Sequence, residues 1–168
     1  MKITATIGLG ANLNDPAAQI DRALAELDNL PATRLLARSS LYASAPIGYA
    51  DQPDFVNAVA QVETELAPRA LLAALLHLEH RHGRARSFRN APRTLDLDLL
   101  LYDGAHFHED GLTLPHPRMQ ERCFVLLPLL EIAPGTVIPG QGRAADWLDA
   151  CAGQQVTVLP PPTAAVDA

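Results

Sequence analysis

Asp96 and Asp98 stand two residues apart in the segment Arg93-Thr94-Leu95-Asp96-Leu97-Asp98-Leu99-Leu100-Leu101-Tyr102, which is otherwise almost wholly apolar. The period of two in a strand puts both carboxylates on one face and Leu95, Leu97 and Leu99 on the other. Two adjacent carboxylates repel each other and lose hydration, and a cation between them offsets both costs. Oxygen ligands without His or Cys at ligand spacing suit Mg²⁺ better than zinc. A solvated charged face is the commoner origin of a bare Asp-x-Asp. This strand is too apolar for that, and Arg93 stands just before it.

The arginines supply the second half of the chemistry. Of thirteen basic residues, Lys2 is the only lysine, and Arg81, Arg84, Arg86, Arg89 and Arg93 fall in one short stretch that contains no acid. The guanidinium fork donates two hydrogen bonds at once, which matches a phosphate. Arginines on one side and a carboxylate-held Mg²⁺ on the other would grip a phosphate chain, the arrangement of phosphoryl transfer. Further along, Leu114-Pro115-His116-Pro117-Arg118 and Arg122 add an imidazole and two cations. Asn57 offers a donor and an acceptor that suit a heterocycle edge, and Phe55 and Phe124 offer faces for a flat ring. Taken singly, each of these has an ordinary structural explanation. His77, His80, His82, His106 and His108 are expected at the surface, since no cysteine stands near to complete a zinc site. Gly8-Leu9-Gly10 lacks the Lys-Ser/Thr ending of a P-loop.

Elements must hold these groups in place. Lys2 to Gly8 alternates as a strand, which the glycines at 8 and 10 are expected to break. Asp15-Pro16 opens a helix with Ile20, Leu24 and Leu27 on one face. Strands are expected at 34–44, at 55–64 and at 93–102. A second helix runs from Pro68 to His82 with Leu71, Leu72, Leu75, Leu76 and Leu78 as a broad stripe. Residues 83–92 read as a loop, Asp103-Gly104 as a turn with a plausible hairpin, and 125–132 as a helix. The order strand, helix, strand, strand, helix, strand is the ferredoxin-like βαββαβ pattern of an α+β domain, a mostly antiparallel sheet with its helices packed on one face.

Composition sets the bounds. The chain has 168 residues, 48% hydrophobic and 19% charged, enough for one core. One domain over residues 1–159 is expected, with a disordered Pro/Ala tail at 160–168. A net charge of −6 argues against a nucleic-acid binder, and no apolar run is long enough for a membrane span. Cys123 and Cys151 suggest no disulfide framework, which fits a reducing cytoplasmic setting, and the opening residues suggest no signal peptide. The chain is expected to be a monomer.

Pro92-Arg93-Thr94-Leu95-Asp96-Leu97-Asp98-Leu99 resembles the signature of the 6-hydroxymethyl-7,8-dihydropterin pyrophosphokinase family of the folate pathway. Gly10-Ala11-Asn12-Leu13, Asp51-Gln52-Pro53-Asp54-Phe55-Val56-Asn57, Leu114-Pro115-His116, Arg122-Cys123-Phe124 and Leu129-Leu130-Glu131-Ile132-Ala133-Pro134 are similar to its other motifs in order. The resemblance implies transfer of the β,γ-pyrophosphoryl group of ATP to the pterin hydroxymethyl group, with release of AMP. It implies that Asp96 and Asp98 hold two Mg²⁺ ions and that Arg84, Arg86 and Arg93 act on the phosphates. Glu79, Arg84, Arg93, Leu99, Thr113, His116 and Arg122 would line the ATP site. Ser44, Ala45, Pro46, Ile47, Phe55, Asn57 and Phe124 would form the pterin site. The chain departs from the family pattern at Asn90, where a loop Trp is usual, with Phe88 nearby. It departs again at Pro117, where a Tyr often follows the His, and mildly at Ser44, in place of a Thr. Two other classes share parts of this pattern: a non-catalytic nucleotide-binding module, which needs no carboxylate pair, and a kinase that moves only the γ-phosphoryl group.

Overall fold

A computed structural model describes residues 2–13, 15–45, 54–82, 95–109 and 111–160. The expected 83–92 loop, the 161–168 part of the tail, and Pro46, Ile47, Arg84, Arg86 and Arg93 lie outside the described residues.

Strand β1 spans Ile3–Ala11 and helix α1 spans Pro16–Leu27. Asp15 caps α1, its carboxylate accepting the Ala18 N–H at 3.5 Å, and Pro16 opens the first turn. Ile20, Ala23, Leu24 and Leu27 form its buried stripe. Strands β2 (Thr33–Arg38) and β3 (Tyr42–Ser44) follow, then β4 (Phe55–Thr64), α2 (Pro68–Arg81) and β5 (Asp96–Tyr102). A small hairpin joins β6 (Phe107–Glu109) to β7 (Leu112–Leu114). A 3-10 turn at Met119–Glu121 leads into α3 (Cys123–Ile132). The two-stranded β8 (Val137–Ile138) and β9 (Gly142–Arg143), a 3-10 segment Ala144–Cys151 and β10 (Val156–Val158) complete the described chain.

The main sheet has the order β10-β3-β4-β1-β5, with β2 also pairing β4, and each of these pairs is antiparallel. Because β2 and β3 lie end to end along the same side of β4, they act as one interrupted strand, and the core order is that of a ferredoxin-like fold. The interruption is at Ser39, which is 1% exposed. Its N–H donates to Val59 O, and its hydroxyl accepts the Val59 N–H, each at 2.9 Å. A side-chain oxygen thus takes over one rung of the ladder, so the expected 34–44 strand is split in two.

Several expectations need correction. Strand β1 does not break at Gly8: it runs to Ala11, with Ala5, Ile7, Leu9 and Ala11 buried under α1 and α2. The helices are not confined to one face. Helix α3 covers the opposite face with Val59, Leu100, Leu126 and Leu129, because it is apolar on nearly every side and needs a sheet to cover it. The Asp103-Gly104 turn forms, with Ala105 N–H donating to Tyr102 O, but the strand after it pairs with β7 and not β5. Leu76 lies outside the α2 stripe and is 43% exposed, five residues on from Leu71 and so on another side of the helix. Cys123 and Cys151 form a disulfide, contrary to the sequence reading. The start of α3 and the second 3-10 segment pack side by side, bringing their Cα atoms to 5.5 Å, and a spacing of 28 residues gave no hint of that. The cysteine-based argument for a reducing compartment falls with it. His82 is buried, not at the surface. Its ring nitrogens pair with Gln19 Oε1 at 2.6 Å and with Glu26 Oε1 at 2.5 Å, which ties the end of α2 to α1.

Candidate active site

The face of β1 opposite its core residues carries Thr6, Gly8 and Gly10. Across the ladder Gly10 faces Asp96 of β5 on one side and Asn57 of β4 on the other, while Gly8 faces Asp98. The same pleat therefore presents Asp96, Gly10 and Asn57 as one row across three strands, with no side chain in the middle. A Cβ on Gly10 would come within 3.1 Å of Asn57 Nδ2, and a Cβ on Gly8 within 3.3 Å of Leu100 Cδ1. The glycines are the floor of a trough between an amide and two carboxylates. Their spacing of two inside an otherwise regular strand is the signal that the sequence reading passed over.

That trough belongs to a cleft of about 300 Å³ lined by Gly8, Gly10, Ser44, Ala45, Phe55, Asn57, Asp96, Asp98, Arg118, Arg122, Phe124 and Val125. The structure thus brings the expected ring-binding residues Ser44, Ala45, Phe55, Asn57 and Phe124 together with the carboxylate pair. Asn57 and Ser44 are each 5% exposed. The Ser44 hydroxyl donates to Asn57 Oδ1 at 2.6 Å, which fixes the amide so that Nδ2 points toward Gly10. Phe55 and Phe124 stand on different elements, one at the start of β4 and the other in the first turn of α3. The Arg122 guanidinium lies 5.5 Å from the centre of the Phe124 ring, within cation–π range.

On the far side of β5 a second cleft of about 370 Å³ is lined by Leu72, Asp98, Leu99, His108, Thr113 and His116, among others. It contains three residues expected at the nucleotide: Leu99, Thr113 and His116. Asp98 is common to both clefts. A bulge in β5 helps to place His116. Ile7 pairs with Leu99 and Thr6 with Leu101, leaving Leu100 unpaired, and its carbonyl accepts the His116 N–H at 2.9 Å. The His116 side chain is largely buried. That desolvation, with Arg122 and Arg118 nearby, lowers its pKa to about 4 against the opposing pull of Asp96. Neutral at pH 7, with Nδ1 accepting the Arg118 N–H at 3.2 Å, the ring carries its proton on Nε2 and is a neutral donor.

Glu79 stands elsewhere. It is 2% exposed beneath β5, does not line either cleft, and its Oε2 accepts the Leu97 N–H at 2.6 Å. Leu97 lies between the two aspartates, so Glu79 holds the strand that carries them. Arg118, which the sequence offers only as an additional cation beside His116, lines the first cleft.

The fold and the site define a class: a ferredoxin-like α+β domain whose acidic pair sits at the seam between an aromatic-amide cleft and an imidazole-bearing one. Residues 6–134 match the family model of 7,8-dihydro-6-hydroxymethylpterin-pyrophosphokinase. The chain is 45% identical over 159 residues to 2-amino-4-hydroxy-6-hydroxymethyldihydropteridine pyrophosphokinase of Haemophilus influenzae, covering 95% of this chain and 99% of that one. It is 46% identical over 154 residues to the Pseudomonas aeruginosa protein of the same name, covering 92% and 95%. Among solved structures, a Plasmodium falciparum HPPK-DHPS with pteroate superposes with a TM-score of 0.70 at 14% identity, over 89% of this chain and 42% of that longer one. The last likeness concerns the fold alone. The chain belongs to the 7,8-dihydro-6-hydroxymethylpterin-pyrophosphokinase family and is an enzyme of the pyrophosphokinase type.

Proposed function

We propose that the chain transfers the β,γ-pyrophosphoryl group of ATP to the hydroxymethyl group of 6-hydroxymethyl-7,8-dihydropterin, in a Mg²⁺-dependent step of folate synthesis that releases AMP. The observation that carries this reading is Asp98 at the seam of two clefts, with Asp96 beside it, one cleft suited to a flat heterocycle and the other to a nucleotide. The pterin lies in the first cleft, its ring between Phe55 and Phe124 and its polar edge on the Asn57 amide. ATP lies in the second, against Leu99, Thr113 and His116. The hydroxymethyl oxygen bonds to the β-phosphorus as the bond from that phosphorus to the bridging α,β-oxygen breaks. AMP leaves with that oxygen, and the hydroxyl proton passes to solvent.

The donor set fits magnesium. Two carboxylates, Asp96 and Asp98, stand on one strand face as oxygen donors. Mg²⁺ commonly takes one or two carboxylates and completes its shell with water and phosphate oxygens. In this reading Asp96 and Asp98 hold two such ions, which when bound neutralise the phosphate charge. His116 donates Nε2–H to a phosphate oxygen without adding charge of its own. Arg118 and Arg122 draw the anionic group to the seam. Arg84, Arg86 and Arg93 are assigned to the outer phosphate oxygens from the sequence. The enzyme is taken to act as a cytoplasmic monomer.

The test is a product assay with ATP, Mg²⁺ and the dihydropterin. Formation of AMP and the pyrophosphorylated pterin in equal amounts is expected. ADP in place of AMP would mean γ-phosphoryl transfer, and neither product would mean a non-catalytic nucleotide-binding domain.

A further inference from the structure

Glu131, at the end of α3, belongs to neither cleft and yet is bound from three directions by the opposite element. Its carboxylate accepts the Ser40 N–H at 2.9 and 3.1 Å, the Ser40 hydroxyl at 2.8 Å and the Tyr42 hydroxyl at 2.7 Å. Ser40 lies in the break between β2 and β3, and Tyr42 opens β3. Such charge-assisted bonds are short and strong, and a carboxylate that collects three donors from one segment fixes that segment in position and angle. Partial burial pushes the Glu131 carboxyl upward, but the bonds from Tyr42 and Ser40, with Arg38 nearby, hold it below the usual carboxylate range. The Tyr42 hydroxyl is correspondingly pushed up to about 12, by burial first and then by its bond to Glu131.

What these two elements carry makes the tie consequential. Helix α3 carries Phe124 in its first turn. Strand β3 carries Ser44, which orients Asn57, and Tyr42 is itself the ladder partner of Asn57. The Cys123–Cys151 disulfide ties the first turn of α3 to the second 3-10 segment, and the bonds from Ser40 and Tyr42 to Glu131 tie its last turn to the β2–β3 break. We propose that Glu131 is a positioning residue for the aromatic-amide cleft: by pinning α3 to the β2–β3 break it sets the gap between Phe124 and the Ser44–Asn57 pair, and so the fit of the heterocycle. The proposal rests on the reading of that cleft as the pterin site.

Three variants of the full chain test it: Glu131→Gln, Tyr42→Phe and Glu131→Ala. Calorimetry with the dihydropterin and, separately, with a non-hydrolysable ATP analogue and Mg²⁺ gives the two affinities. Glu131→Gln keeps one acceptor oxygen, and a weakening of pterin binding by about five-fold is expected, with ATP-analogue affinity within about two-fold. Tyr42→Phe removes one of the donors and is expected to fall between Glu131→Gln and the parent protein. Glu131→Ala is expected to weaken it most. Steady-state kinetics should show the loss in the pterin KM far more than in kcat. A lower Tm with unchanged pterin affinity in Glu131→Gln and Tyr42→Phe would show a merely structural tie and overturn the proposal. An equal loss for both ligands would overturn it as well. Failure of the parent protein to bind the dihydropterin would instead overturn the assignment of the cleft, and the proposal with it.

Discussion

The two clefts that meet at Asp98 are built from different materials. The aromatic-amide cleft is cut into the middle of the sheet. Its polar groups, Asn57 and Ser44, are nearly fully buried, bonded to each other, and held by strands paired on both sides. The nucleotide-side cleft leans on the outer strand β5 and on the short β6–β7 hairpin, and its His108 and Glu109 are exposed. Under the proposed function the contrast follows from what each side would recognise. A neutral heterocycle is told from its analogues by hydrogen bonds in a dry, preformed wall, because a buried partner left unpaired costs about 1–3 kcal/mol. A polyanion is held by charge, which acts over distance and tolerates a wetter, looser wall.

The largest way to break this arrangement is at the seam. Asp96→Ala and Asp98→Ala should each cut turnover by about 10³-fold or more, since both clefts depend on the charge held there. The fold should persist, because the lost groups repel each other and are not core. Steady-state rates and a thermal melt check both halves, and near-normal turnover at saturating Mg²⁺ would remove the pair from the chemistry. Chelation should abolish turnover in the parent protein, and added Mg²⁺ should restore it.

The next change isolates the aromatic-amide side. Gly10→Ala places a methyl group 3.1 Å from Asn57 Nδ2 and pushes the amide out of line. Asn57→Ala removes the amide. Each should weaken pterin binding about ten-fold. ATP-analogue affinity should barely move, and calorimetry showing parallel losses would mean that the two clefts are not separable.

His116 allows a pH test. Its folded pKa of about 4 lies below the ordinary 6.5, so between these values the unfolded chain binds more protons than the folded one. The resulting stability is present above pH 6.5 and is lost as the pH falls toward 4. From pH 7 to pH 5 the metal-free protein should lose about 2 kcal/mol through this group. His116→Gln should flatten the stability profile in that window, and an unchanged slope would assign the acid sensitivity elsewhere. The smallest effect is expected at the rim of the nucleotide-side cleft. The Arg69–Glu109 pair, 3.0 Å apart and more than half exposed at both ends, should contribute less than about 1 kcal/mol when probed by Arg69→Ala in a urea titration.

The sequence made some of this legible, and the reason differs from residue to residue. Asp96 and Asp98 could be placed on one face because alternation in a strand is a local rule, and the caps at Asp15 and Pro16 are local too. The trough was hidden. Glycine is a breaker by propensity, and only the cross-strand neighbours Asp96 and Asn57 show why β1 carries two of them without breaking. Ser44 was linked to the ring site through family resemblance and Asn57 already through its amide chemistry, but their mutual bond depends on the β3–β4 register, which the Ser39 break sets. Helix α3 could be read as a helix, yet a segment apolar on all sides does not announce which sheet face it covers. The Cys123–Cys151 pairing is likewise a product of that packing.

The bond from Leu97 to Glu79 has a consequence beyond holding the aspartates. Among the described residues β5 is the outermost strand of the sheet, and an outermost strand presents backbone groups with which another chain could pair. Glu79 puts a carboxylate oxygen where the carbonyl of an added strand would have to sit. An incoming chain would have to displace the buried Glu79 side chain to dock there. The same side chain that holds the strand bearing Asp96 and Asp98 thus also occupies a backbone donor on the outermost strand of the described sheet.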